Sequence, residues 1–488
     1  MAREIELKLE VDPAAAERLG DHPLLAGAEP ARQSQLSVYF DTGKNKLRSA
    51  GYVLRVRRLG DGFVQTIKAT SQGAGLFDRD EWEAPVPRLQ PEPEAAAGTP
   101  LADLLKPSAY GKLVPVVRTE VQRTIWLVDH DHSRLEVTLD QGAITGGTTE
   151  RPLHEIEIEL KEGSVGSVIA VAQLLGQSLP LRIGVLSKSE RGFALADGLL
   201  LKAAKAGPVH VDPGMSVAQG FTAIFHACLR HFRLNEPLVV SARDSGALHQ
   251  ARVAMRRLRA SFSLFRPVLQ DERYEALREE LRWFTAQLGE ARNLDVFLER
   301  LEGDHPDRPR LILDRYQAYS TIIDTLGSQR FRDLMLGLLA WVELGQWRSG
   351  KKAARPLSAL AARRIDRLWD KIVQSGARLG ELEEEPRHRL RIDVKKLRYA
   401  LEFVGSLHQS AGARRKRFMT ALESLQEELG LLNDMATART ISANLSDAGE
   451  IAADLAPSCA TIEEAGHLAE AEAQFRKLRK AGTFWRDK

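Results

Sequence analysis

The stretch Glu4-Ile5-Glu6-Leu7-Lys8-Leu9 decides the fold of the first part of the chain. Its period is two, so on a strand Glu4, Glu6 and Lys8 share one face while Ile5, Leu7 and Leu9 share the other. Working outward, Arg55 and Arg57 alternate with Leu54 and Val56, and Glu136, Thr138 and Asp140 with Leu135, Val137 and Leu139. Glu155, Glu157, Glu159 and Lys161 alternate with Ile156, Ile158 and Leu160, while Lys68, Glu81, Glu83, Arg118 and Arg123 put charges on other extended segments. A single strand of this kind is ordinarily a sheet face in water. Carboxylates in a row on one face, however, lie only about 7 Å apart and call for counter-charges. A sheet curled with its charged faces inward supplies them: acidic strands can hold divalent metals through carboxylate oxygens, and Lys and Arg strands can hold phosphates. That combination suits phosphoryl transfer.

The chain has 488 residues, 43% apolar and 28% charged, enough for two or three domains with cores of their own. It has no apolar run of about 18 residues, which argues against a membrane span. Its start alternates charges instead of showing a secretory signal, and Cys228 and Cys459 are too few for a disulfide framework. A cytoplasmic protein is expected. The net charge of +3 conceals a balance of −5 over residues 1–200 and +8 over residues 201–488. An excess that small makes local clustering, not bulk charge, the basis of any polyanion site.

Strand alternation gives way to amphipathic helices near residues 197–216, where Asp197 to Lys205 reads as a helix end before the breakers Gly207-Pro208 and Asp212-Pro213-Gly214. The proline-rich stretch from Glu83 to Thr99 reads as a loop within the first domain, because strand patterns resume after it. The second half contains a duplication. His249, Arg252, Arg256, Arg257 and Arg259 have the same spacing as His388, Arg391, Lys395, Lys396 and Arg398, 139 residues later. Leu288-Gly289 with Arg292-Asn293 is echoed by Leu429-Gly430 with Asn433-Asp434. A repeat this long means tandem bundles rather than a solenoid. On a helix His249, Arg252, Arg256 and Arg259 make one narrow basic stripe, as do His388, Arg391, Lys395 and Arg398, ordinarily a solvated face. Its duplication, with a His at the head of each copy, points to a long polyanion gripped by imidazole and guanidinium. Two such stripes facing each other could form one channel. The run Arg414-Arg415-Lys416-Arg417 is a further candidate, although a short basic run in a loop is more often merely solvated.

The ordered series Glu4-x-Glu6-x-Lys8, Tyr39-Phe40-Asp41-Thr42, Arg55-x-Arg57, Lys68, Arg118 to Arg123, Glu155-x-Glu157-x-Glu159 and Ser187-Lys188-Ser189-x-Arg191-Gly192 resembles a CYTH domain, of the triphosphate tunnel metalloenzymes. The resemblance implies an eight-stranded antiparallel β tunnel with helices over residues 1–202, hydrolysing triphosphates with Mg²⁺ or Mn²⁺. Carried over by position, Glu4, Glu6, Glu157 and Glu159 resemble the metal ligands, with Glu155 and Asp140 beside them. Lys8, Arg55, Arg57, Lys68, Arg118, Arg123 and Lys188 resemble the triphosphate clamp, and Glu6, Lys8 and Glu159 are expected to carry catalysis. Residues 215–488, through both His-led helices, resemble a CHAD domain, which implies an all-α pair of four-helix bundles that binds inorganic polyphosphate and can direct a protein to polyphosphate granules. The overall expectation is an α+β protein.

The leading expectation is an inorganic triphosphatase. The alternatives are a polyphosphate-binding scaffold that does not turn over its ligand, a thiamine or nucleoside triphosphatase, or an adenylate cyclase on the same tunnel. No Walker loop, G-x-G-x-x-G or G-x-S-x-G motif is present. The basic stripes lack aromatic interleaving for base stacking, which argues against nucleic acid. His130 and His132 are expected at a hairpin tip, His226 and His231 in packing or in solvent, and Trp341, Trp347 and Trp369 in packing.

Overall fold

The computed structural model describes residues 2–70, 73–301, 305–446 and 457–486. Nine strands are present among them: β1 (Ala2–Glu10), β2 (Ala31–Asp41), β3 (Tyr52–Leu59), β4 (Gly62–Ala69), β5 (Leu76–Val86), β6 (Val114–His130), β7 (Ser133–Gly146), β8 (Thr149–Glu162) and the short β9 (Arg182–Ile183). Eight run in the order β5-β4-β3-β2-β6-β7-β8-β1, and β1 pairs back onto β5, closing an antiparallel barrel with no free edge among its long strands. β9 adds to β1 through Leu9 and Glu10.

Period-two alternation sets which way each side chain faces. Leu7, Leu9, Leu54, Val56, Ile156 and Ile158 are fully buried on the outer face. After β1 comes the short α1 (Pro13–Arg18). The outer face is covered by α2 (Lys46–Ser49), α3 (Pro100–Leu104), α4 (Val165–Ser178) and the intervening loops, whereas α5 (Lys188–Ala196) packs Phe193 and Leu195 on Tyr39, Val53, Val117 and Ile144, residues of inward parity. Val38, Phe40, Leu54, Val56 and Ile67, for example, pack with Leu101 and Tyr110 from the segment after β5. The barrel thus keeps its apolar face outward under helices and its charges inward. Its longest hairpin turns at Asp131 and His132, both with positive φ, as a two-residue turn requires. β5 takes in the first part of the expected Glu83–Thr99 loop, up to Val86. The helical reading of Asp197 to Lys205 is corrected: α5 stops at Ala196 and Gly198 follows in the left-handed region at φ +64°, a helix terminator.

The rest is helical: α6 (Val217–Ala242), α7 (Ser245–Leu269), α8 (Tyr274–Arg300), α9 (Arg308–Gly327), α10 (Gln329–Leu344), α11 (Leu357–Gly376), α12 (Glu384–Phe403), α13 (Gly412–Ser446) and α14 (Pro457–Ala481). The duplicated stripes fall on α7 and α12 and their Leu-Gly echoes on α8 and α13, so the repeat is a repeated helix pair. Arg414 to Arg417 belong to the first turns of α13, not to a loop.

The chain divides into two compact units. One comprises residues 1–207, 225–259 and 270–346, and therefore joins the barrel to parts of α6 and α7 and to α8–α10. Its helical core contains Phe232, Phe284 and Phe331, with ring centroids 4.5–5.9 Å apart, and the buried Trp341. The other comprises residues 208–224, 260–269 and 347–488. Trp369, Phe418 and Trp485 pack edge-on in it, and Phe221 stands against Phe262 and Trp347.

Candidate functional site

The inward face of the barrel surrounds a cavity of about 330 Å³. Eight cations line it (Lys8, Arg55, Arg57, Lys68, Arg79, Arg123, Lys161 and Lys188), with seven carboxylates: Glu4, Glu6, Glu81, Glu83, Glu136, Glu157 and Glu159. Strand register explains their grouping. Glu6 on β1 stands opposite Glu159 on β8, which stands opposite Glu136 on β7, so three glutamates cross three strands in one row. Lys8 stands opposite Glu157 in the next inward-facing row.

Most of these charges neutralise each other. Lys8, 3% exposed, bonds Glu157 and lies 3.0 Å from Glu6. Lys188, at the start of α5, reaches Asp140 at 2.8 Å and Glu155 and Glu157 at 2.7 Å. Arg123 grips Asp140 through two nitrogens and Glu157 at 2.6 Å. Arg79 bridges Glu4 at 2.9 Å and Glu6 at 2.5 Å, and Lys68 holds Glu4 at 2.6 Å and Glu81 at 2.9 Å. Burial opposes every one of these charges. The carboxylates nevertheless outweigh it and hold Lys8, Lys188, Arg79 and Arg123 above their ordinary pKa values. Burial likewise opposes ionisation of Glu4, Asp140 and Glu157, and their cationic neighbours hold them below the carboxylate range.

Two arginines and one glutamate break this balance. Arg57 has no carboxylate at ion-pair distance among the described residues; its Nε donates to Ser37 Oγ at 3.2 Å. Burial, Arg55 and Arg123 push its guanidinium down to about 10. Arg55 is buried, donates to Thr66, has Glu83 only at 3.7 Å, and its Nε has no hydrogen-bond partner. Arg57 presents positive charge to the cavity that no carboxylate at ion-pair distance neutralises, and Arg55 beside it has only Glu83, at 3.7 Å. On the acidic side, burial raises the pKa of Glu159, with Glu4 and Glu136 adding to it and Lys161, at 2.8 Å, opposing. That carboxylate lacks sufficient positive charge around it.

The structure gathers Glu4, Glu6, Lys8, Arg55, Arg57, Lys68, Arg123, Glu157, Glu159 and Lys188 around one cavity. Arg118 is excluded from this group. It faces outward, more than half exposed, and pairs with Glu120 at 2.6 Å, so its placement in the clamp is corrected by strand parity. Asp140 and Glu155 are fully buried behind the lining, where they anchor Lys188 and Arg123 rather than facing the cavity as metal ligands would. Arg79, Glu136 and Lys161 were not among the expected site residues. The parity of Glu81 and Glu83 assigns Arg79 to the same face, and that of Asp140 assigns Glu136.

Among the described residues no three His, Cys, Asp or Glu side chains form a ready metal cage. The donor chemistry fits a divalent cation all the same. The Glu6, Glu159 and Glu136 row consists of hard oxygen ligands, and burial holds Glu159 above its ordinary pKa even though Lys161 lies 2.8 Å away.

The basic stripes lie on α7 and α12. On α7 none of His249, Arg252, Arg256 and Arg259 makes an ion pair among the described residues. Arg252 donates to the carbonyls of Leu288 and Gly289, at 3.2 and 2.8 Å. Burial and then Arg256 and Arg292 push Arg252 down to about 10, and burial with Arg292, Arg256 and Arg252 lowers His249. On α12 the charges are better matched: Arg398 pairs with Glu402, Lys396 lies 3.3 Å from Asp393, and His388 bonds Asn433. Arg257 is buried, and Arg391 and Lys395 continue the second stripe.

Comparison with known proteins matches residues 2–193 to the CYTH domain and residues 223–443 to the CHAD domain. A curated relative, the inorganic triphosphatase of Haemophilus influenzae, is 30% identical over 201 residues, which is 40% of this chain and 55% of that protein. The match spans little more than half of the relative's length. Similar solved structures include the CHAD domain from the plant Ricinus communis, 26% identical, covering 57% of this chain and 96% of that one with a TM-score of 0.46. HpAC1 from Hippeastrum, described as having a dominant triphosphatase activity, is 20% identical, covering 40% of this chain and 95% of that one with a TM-score of 0.31. The closed, inwardly charged barrel and the duplicated helix pair that follows it are accordingly a CYTH domain followed by a CHAD domain.

Proposed function

We propose that the barrel hydrolyses inorganic triphosphate to pyrophosphate and phosphate in a metal-dependent reaction, and that the helical stripes bind inorganic polyphosphate. The observation that carries this reading is Arg57, without a carboxylate partner among the described residues, beside the weakly paired Arg55 and facing the same cavity as the glutamate row of Glu6, Glu159 and Glu136. A phosphate chain supplies the anion that Arg57 lacks, and a Mg²⁺ or Mn²⁺ supplies positive charge to a row in which Glu159 and Glu136 share Lys161. The name of the Haemophilus influenzae relative supports the substrate class. Tyr39 is the one aromatic side chain among the described lining residues, which favours an inorganic substrate over one with a base or a thiazolium ring.

When bound to Glu6, Glu159 and Glu136, with Glu4 and Glu157 nearby, the cation supplies charge neutralisation and activation of water. The chain's own groups do the rest. Arg55 and Arg57 grip phosphoryl oxygens with their free donors and spread the charge of the transferring group. Lys8 and Lys188, with pKa values held up by their carboxylates, stay protonated and act as fixed cations for the leaving pyrophosphate, not as proton donors. Glu6, tied to Lys8 and Arg79, orients the attacking water.

The test is phosphate release from tripolyphosphate, ATP and thiamine triphosphate by the full chain with Mg²⁺, with Mn²⁺ and with chelator. Chelator-sensitive cleavage of tripolyphosphate ahead of the other two is expected. Preferential cleavage of thiamine triphosphate or ATP would move the assignment to an organic triphosphate or to cyclisation. No release from any substrate would leave a polyphosphate-binding scaffold in the cytoplasm or on granules.

A further inference from the structure

Lys8 is held from both sides by backbone. Its N–H donates to Gly75 O at 2.9 Å, and its carbonyl accepts from Gly184 N at 2.8 Å. These two flanking segments also touch each other. Gly75 has φ +91°, and a Cβ there would stand 2.2 Å from Ile183 Cγ2, so the pinch tolerates only glycine. The residues beside Gly75 and Gly184 are in turn fastened to one helix. Ala74 N–H donates to His226 Nδ1 at 3.0 Å. Arg233 Nε donates to Ile183 O at 2.8 Å, and Arg230 Nη1 to Val185 O at 2.6 Å.

His226, Arg230 and Arg233 are spaced four and three residues apart on α6 and so lie on one face of it. Each is fixed by a second contact. His226 Nε2 lies 2.7 Å from Glu343, Arg230 Nη2 donates to Glu190 at 2.7 Å, and Arg233 bonds Glu236 and, at 3.1 Å, Glu10. Glu190 matters beyond its charge. It closes the capping box with Ser187 at the start of α5, the turn that presents Lys188 to Asp140, Glu155 and Glu157. One helix face therefore fastens the mounts of both buried lysines of the cavity.

We propose that His226, Arg230 and Arg233 are positioning residues for the barrel reaction, holding Lys8 and Lys188 at the spacing that a triphosphate requires. The helical region then does more than bind polymer, since part of α6 completes the mounting of the tunnel. This rests on the proposed triphosphatase reading for its kinetic readout, but not for its structural one.

The test uses the full chain with Arg230→Gln, Arg230→Lys and His226→Asn. Arg230 is 30% exposed, so its loss strands no deeply buried charge. Arg330→Gln, which removes an exposed pair with Glu280, is the matched control. Without ligand, amide exchange should accelerate at Gly184 and Lys8 in Arg230→Gln and His226→Asn, and stay at the wild-type rate in the control. With tripolyphosphate and metal, kcat should fall on the order of 10-fold to 100-fold while KM changes less, and Arg230→Lys should recover part of the loss. Wild-type exchange at both amides in Arg230→Gln and His226→Asn would overturn the proposal, whether or not the enzyme cleaves triphosphate. So would faster exchange in Arg230→Gln with unchanged kcat, or a defect that Arg230→Lys does not relieve. An inactive wild type whose Gly184 and Lys8 amides still loosen in Arg230→Gln would overturn the triphosphatase reading and uphold the mounting role.

Discussion

The barrel interior and the α7 stripe are built from the same basic residue types and have opposite electrostatics. Inside the barrel, Lys8, Lys188, Arg79 and Arg123 each lie within 3.0 Å of carboxylates that raise their pKa values. On α7, Arg252 and His249 have mainly each other and other arginines for company, and their values fall. A compensated interior is a poor general anion trap, because an entering phosphate must meet the few cations left over and bring positive charge to the acidic side. Such a site selects a short ligand of defined charge accompanied by a metal. An uncompensated stripe accepts any anion long enough to run along it, with an affinity that salt erodes.

The sharpest way to break this comparison is on the acidic side. Glu6→Gln keeps the shape of the glutamate row and removes one negative charge, so tripolyphosphate turnover should fall on the order of 10³-fold while metal-free tripolyphosphate binding persists. Wild-type, chelator-sensitive rates in this variant would mean that the chemistry lies elsewhere. The next largest effect separates leftover from compensated cations. Arg57→Ala should raise KM for tripolyphosphate about 10-fold to 100-fold without lowering the thermal transition, because no carboxylate loses its partner. Arg79→Ala strands Glu4 and Glu6 and should lower the transition as well as the activity. Equal melting of the two variants would erase the distinction.

Much of the barrel was legible because strand parity is rigid. Alternation in Glu4 to Leu9, Leu54 to Arg57 and Glu155 to Lys161 assigned inward charges and outward aliphatics before any pairing was known. Applied to β6, the same rule places Arg118 outside. It stands five residues from Arg123 on a strand that stays in register between them, so the two must face opposite ways. Arg118 was grouped with the clamp by positional resemblance, without its parity being applied. Which acid neutralises which base was not legible, since Lys188 meets Glu157 only through the placement of α5 over the barrel. Nor were the roles of His226, Arg230 and Arg233 visible. Their spacing marks one helix face, but the loops they hold are some 40 to 150 residues away in sequence.

The smallest expected effect distinguishes the two copies of the stripe. Arg256 makes no ion pair among the described residues and its buried Nε has no hydrogen-bond partner, whereas Lys396 lies beside Asp393. Arg256→Gln should weaken binding of long-chain polyphosphate about 3-fold to 10-fold, and Lys396→Gln less than about 2-fold, because a lysine already near a carboxylate gives up that partner to bind phosphate. Each lost contact should also flatten the salt dependence of binding, more for Arg256 than for Lys396. The sign of the pH effect follows from His249, whose pKa is lowered by burial and by Arg292, Arg256 and Arg252. A bound polyanion favours the protonated imidazole and raises that value, so affinity should increase as pH falls and the increase should vanish in His249→Gln. Titration calorimetry at several pH values and salt concentrations reads both effects. Equal losses from Arg256→Gln and Lys396→Gln would show that the charge pairing on α12 does not govern its grip on the polymer.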